Sequence, residues 1–173
     1  MLEWWHRQAR RRFIIPTSKV RELLDNGSYE EAKEAAERAL QDNPNNALLH
    51  YYAAWSCDGL SLETSAIPYY EKALELGLPD ADLADAYIGL GSTYRAIGNY
   101  EKASETFNKA RTAFPDNKAI TVFASMALYN SQNYKEAMQL AIQIIGETSN
   151  DPDIIAYKKA ILNYAHDLDA VWD

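Results

Sequence analysis

The chain has 173 residues, 47% of them apolar, and a formal net charge of −8. That is enough apolar material for a sizeable core, while 7 glycines and 6 prolines are too few for a β-rich chain with many tight turns. An acidic body repels phosphate backbones, which argues against nucleic acid as the main partner. The lone cysteine, Cys57, excludes an internal disulfide and a multi-thiolate metal site. No apolar run is long enough to cross a bilayer.

The N-terminal stretch MLEWWHRQARRRFIIP is basic but has neither an apolar h-region nor a small-residue cleavage site, so it does not read as a secretory signal. A reducing cytoplasm is the expected location. Residues 1–21 carry +5 and the remainder −13, a polarised distribution. Leu2, Trp5, Ala9 and Phe13 fall at helical spacing, with the arginines largely on other faces. Residues 1–12 admit several readings: a helix covering one end of the fold, a segment docking in a groove of its own or a neighbouring molecule, attachment to an anionic membrane surface, or disorder.

Helices are expected along the rest of the chain. The first runs from Pro16 to about Asp25. The second carries Tyr29, Ala32, Ala36 and Ala39 and ends before Pro44, with Ser28 and Glu31 reading as a capping box. The stretch ALLHYYAAWSCDGL from Ala47 gives a third, and a fourth is centred on AIPYYEKALEL, with Ala66, Tyr70 and Ala73 in register. Pro68 is tolerable in the first turn of a helix, which predicts a start near Thr64 or Ser65. Ala66 and Ala103 are 37 residues apart, so about three residues are inserted, most simply in GLPDADLADA, with Asp80 or Asp82 capping the next helix.

Residues 84–117 are the most regular. Tyr87, Leu90, Gly91 and Tyr94 sit on one predicted helix, and Ala103, Phe107 and Pro115 follow on a second. Gly91 and Ala103 are small, so the two helices can approach closely, and Phe107 fills the wedge between this pair and the next. Gly98-Asn99 ends the first helix, Asn99 caps the second, and Pro115 closes the unit. Tyr134 and Ala137 come 34 residues after Tyr100 and Ala103, with Asn133 and Glu136 as the helix start. The last stretch, DIIAYKKAILNYAHDLDAVW, reads as a closing helix with a more polar outer face.

The spacing in residues 84–117 resembles the tetratricopeptide repeat at nearly every signature place, with Tyr87 standing for the usual Trp. The chain is also similar to a group of small bacterial repeat proteins. The resemblance implies an all-α, right-handed superhelix of antiparallel helix pairs: residues 1–12 as an N-terminal basic and aromatic helix or cap, an array over 13–151 (13–46, 47–83, 84–117, 118–151), and a C-terminal capping helix over 152–173. It also implies that the first helix of each pair lines a concave wall. The family's groove-facing places fall on Tyr51, Trp55 and Asp58 in the second repeat and on Asp85, Ile88, Ser92 and Arg95 in the third. In the fourth they fall on Ala119, Val122, Met126, Tyr129 and Asn130. Such a wall, rich in aromatics and sulfur, suits an extended peptide or an amphipathic helix. The family's carboxylate clamp needs Lys, Asn and Arg at set places. Counted from the first repeat those places hold Thr17, Arg21, Tyr52, Asp85 and Gly89, and counted from the second Tyr51, Trp55, Gly89, Ala119 and Phe123; neither set offers the required cations and amides, which disfavours binding of Hsp70 or Hsp90 tails.

No catalytic motif emerges. His6, His50 and His166 form no HxxxH or HExxH spacing, no GxSxG elbow occurs, and Gly89-Leu90-Gly91 lies within a helix. No cofactor and no metal is expected. Cys57 reads as a small buried hydrophobe. The expected role is a non-enzymatic scaffold that binds a partner's peptide or helix in its groove, as a monomer or weak homodimer. The alternative is a self-assembling protein whose groove is filled by its own N-terminal helix or a twin subunit.

Overall fold

A computed structural model describes residues 15–171. These residues form nine α-helices and no strand. They are α1 (Thr17–Asp25), α2 (Tyr29–Asp42), α3 (Ala47–Gly59), α4 (Glu63–Leu76), α5 (Asp80–Ala96), α6 (Tyr100–Ala113), α7 (Lys118–Asn130), α8 (Tyr134–Thr148) and α9 (Pro152–Ala165). Each helix packs against the next in sequence. In addition, α1 touches α3, α3 touches α5, and α5 touches α7. That pattern is a row of hairpins, each covering the apolar face its neighbour leaves open. The segment 1–12 assigned above to an N-terminal helix or cap lies outside the described residues.

The turns inside the hairpins repeat as faithfully as the helices. Gly27, Ser61, Gly98 and Gln132 hold the same place in successive units, and all four adopt positive φ (74°, 56°, 80° and 64°). Glycine takes this conformation without a Cβ clash, whereas Ser61 and Gln132 are strained there. Asparagine side chains start three helices. Asn46 accepts from the Leu49 amide at 3.1 Å, Asn99 from Lys102 at 3.3 Å and Asn117 from Ile120 at 3.2 Å.

Several local expectations need correction. Ser28 precedes α2 but makes no side-chain cap bond. Asn133 does not cap the α8 backbone, because its amide instead donates to the Glu136 carboxylate at 2.7 Å. Pro79 stands at the start of α5, leaving Asp80 and Asp82 in the first turn, where they favour the helix dipole without a cap bond. The extra residues before the third repeat lengthen α5 at its N-terminus, so the irregularity is an added helical turn and not only a loop. Helix α4 begins at Glu63, so Pro68 lies beyond the first turn, where its missing N–H forfeits one backbone bond. Finally, the outer face of α9 is mixed and not simply polar: Ile155, Tyr157 and Tyr164 are exposed alongside Lys158, Lys159 and Asn163.

Among the described residues, no helix is long and apolar enough to cross a membrane. Nor does any group of three His, Cys, Asp or Glu side chains converge as a metal site. Cys57 is fully buried.

Candidate functional site

The wedges between successive hairpins are sealed through the third repeat. Phe107 is 1% exposed and stacks on Phe123 of α7, with ring centroids 6.3 Å apart and planes 10° from parallel. Gly91 makes this possible: a Cβ there would come within 2.6 Å of the Phe107 ring. One repeat earlier, Tyr70 occupies the place of Phe107. Its hydroxyl donates to Asp58 at 2.6 Å, and Thr93 of α5 donates to the other oxygen of the same carboxylate at 3.0 Å. Burial pushes the Asp58 carboxyl above its usual range, opposed by these two hydrogen bonds.

This sealing accounts for several of the groove positions expected from sequence. Tyr51 is only 5% exposed, within an aromatic cluster with Tyr52, Trp55 and Tyr70 at centroid distances of 5.6, 6.1 and 6.3 Å. Burial, followed by the nearby Asp85 and Asp82, raises its phenol pKa. Tyr51 is therefore core and offers no ring to a ligand. Trp55 is half-buried beneath the Arg21 guanidinium, which lies 5.0 Å over its ring. Asp58 ties two repeats together, and Ile88 packs on the buried Ala84, Ala110 and Ile120. Asp85 and Ala119 are exposed, and Val122 is half-buried.

Of the five remaining predicted residues, four converge and Ser92 does not line the same pocket. Arg95, Met126, Tyr129 and Asn130 line one pocket of about 700 Å³, with Ser125 and four residues of α8: Tyr134, Ala137, Met138 and Ala141. Met126, Tyr129, Tyr134 and Met138 are 41%, 62%, 54% and 54% exposed. Tyr129 and Tyr134 meet edge-on at 5.1 Å across the α7–α8 turn and form one rim. Arg95 reaches in from α5, where Nη1 donates to the Asn130 side-chain oxygen at 3.3 Å. Its Nε is buried without an acceptor among the described residues, and so is the Ser92 hydroxyl one turn earlier on the same helix.

Two features open this pocket. The first is a substitution in register: 34 residues after Gly91 and Phe107 stand Ser125 and Ala141, so a phenyl ring is lost and only a hydroxymethyl gained. The second is the placement of α9, which packs on α8 and makes no contact with α7. It is held to the far side of α8 by Gly146 against Leu162 and Ile161, and by Lys135 bonded to Asp167 at 2.9 Å and Asp169 at 2.8 Å. Ala36 occupies the same place in the first repeat but is fully buried, because α1 and α3 meet there. The α8 residues were missed from sequence because the second helix of a pair is expected on the outside. The Phe107-to-Ala141 change was the signal that could have found them.

The Tetratrico peptide repeat family pattern matches residues 46–168, and the chain belongs to the tetratricopeptide repeat family. Among solved structures, it is similar to YrrB, described as a TPR protein with an unusual peptide-binding site. The two share 17% identity and a TM-score of 0.68, over 88% of this chain and 77% of that one. At that identity the likeness concerns the fold. No match was found among curated protein sequences.

Proposed function

We propose that this protein binds a segment of a partner protein at the C-terminal end of its concave wall, without catalysis. The observation that carries the reading is the pocket itself: Met126, Tyr129, Tyr134 and Met138 present adaptable sulfur and large aromatic area to solvent beside a single cation, Arg95. An exposed apolar concavity of this kind usually marks a contact site. Membership of a family of interaction scaffolds supports the reading, as does the peptide-binding site named for YrrB.

The groove positions nearer the N-terminus contribute less, since their aromatics are spent on packing. Filling of this pocket by the protein's own first residues is less well supported, because Arg7, Arg10, Arg11 and Arg12 would approach another arginine.

Selection from a displayed library of random peptides tests the proposal, using wild type and a Met126→Asp/Tyr129→Asp variant whose helicity is verified by circular dichroism. Peptides enriched on wild type should lose binding to the variant. Enriched peptides that bind both proteins equally would refute the pocket as the site.

A further inference from the structure

We infer that the pocket recognises a partner segment carrying one aromatic side chain with an acidic residue next to it. The aromatic group enters the wedge at Ala141, and the carboxylate is held by Arg95. The inference rests on the reading above that this end of the wall binds a partner segment, and adds the chemistry of that segment.

The aromatic half of the argument comes from the internal repeat. The third repeat supplies its own phenyl ring at Phe107, seated against Gly91 and stacked on Phe123. In the fourth, Ala141 supplies none. The residue in register with Phe123, Tyr157 on α9, is 69% exposed and so does not fill the space. The phenyl ring is absent and its place is left open, although Ser125 in place of Gly91 means that a partner's ring would sit farther from α7 than Phe107 sits from α5. Met126 and Met138 flank the space, and thioethers pack well against ring edges.

The acidic half comes from unmet hydrogen bonding. Arg95 lines the pocket, and its Nε is one of three buried side-chain polar atoms without a partner among the described residues. Buried donors left unpaired are costly. Arg95 forms no ion pair with any described acid, and its bond to Asn130 satisfies only Nη1. A carboxylate accepts from the guanidinium and neutralises the one charge in the pocket. A basic segment would leave the guanidinium unmet and add repulsion.

Methionine methyl NMR provides the test, because two of the three methionines, Met126 and Met138, line the pocket. Full-length protein is titrated with the capped peptide Gly-Phe-Glu-Gly, with its Phe→Ala and Glu→Gln counterparts, and with the peptides selected by display. The Phe-Glu peptide should shift both methyls at millimolar concentration, and either change in the peptide should weaken binding about tenfold. Arg95→Gln should remove the preference for Glu over Gln, and Ala141→Phe should abolish binding by filling the wedge. Ala141→Leu serves as a smaller filling variant should the phenylalanine perturb the fold. The inference is overturned if display-selected peptides bind the wall but are indifferent to Ala141→Phe and to loss of their acid, an outcome that leaves the groove reading standing. If neither selected nor designed peptides move either methyl, both fall.

Discussion

The third and fourth repeats are built on one pattern and end differently. In the third, Gly91 admits Phe107, Phe107 stacks on Phe123, and α7 closes over both α5 and α6. In the fourth, Ser125 and Ala141 leave a hole, and α9 covers α8 but not α7. The hairpin geometry survives the change, since Gln132 keeps the left-handed turn of Gly98. A repeat can therefore surrender its inter-hairpin packing while keeping its helices. The surface released by that loss is where this protein presents Met126, Tyr129, Tyr134 and Met138.

The comparison can be broken most severely by Phe107→Ala, which removes the ring from the sealed wedge and should destabilise by about 3–5 kcal/mol, read from chemical denaturation. Gly91→Ala should destabilise by about 1–3 kcal/mol, because the new Cβ meets the Phe107 ring. In the double variant Gly91→Ala/Phe107→Ala the two costs should fall short of their sum, since the clashing ring is gone. Additive costs would mean that Gly91 matters for another reason.

Tyr70→Phe tests the other sealed junction, with an expected loss of about 1–3 kcal/mol. The folded-state pKa of Asp58 lies above its ordinary value, so its contribution to stability is fully present below that ordinary value and is lost as pH rises through the folded one. Removing the Tyr70 hydrogen bond, which favours the ionised form, raises the folded pKa further. The penalty should therefore be largest at neutral pH and shrink in acid. The smallest effect is expected from Gln132→Gly, which relieves a positive φ and should stabilise by about 0.5–1 kcal/mol in thermal or chemical melts.

The helices and turns were largely legible in the sequence because they depend on local chemistry. The period of Tyr29, Tyr100 and Tyr134, the small residues Ala32, Ala66, Ala103 and Ala137, and the breaks at Pro44 and Pro115 each act within a turn or two of their own position. Local competition also explains the misreadings: Ser28, Asn133 and Pro79 sit at helix starts, and sequence does not say which side chain closes the cap. The candidate wall was only half legible. Arg95, Met126, Tyr129 and Asn130 were identified from their places on the first helices of the pairs. Tyr51, Asp58 and Ile88 shared that placement but are spent on contacts with neighbouring hairpins, and those contacts depend on how closely α3, α5 and α6 approach. The α8 half of the pocket depends on where α9 settles, which the 34-residue period would have placed against α7.

Amide hydrogen exchange compared between Ser125→Gly and Ser125→Gly/Ala141→Phe, in which the added ring faces a glycine as Phe107 faces Gly91, tests most directly the claim that the fourth wedge is open while the third is closed. A ring placed in an empty wedge should slow exchange along α7 and α8 and leave α6 unchanged. Unchanged or faster exchange in α7 and α8, with the variant still folded, would mean that the space is already filled and that the contrast between the two repeats does not hold.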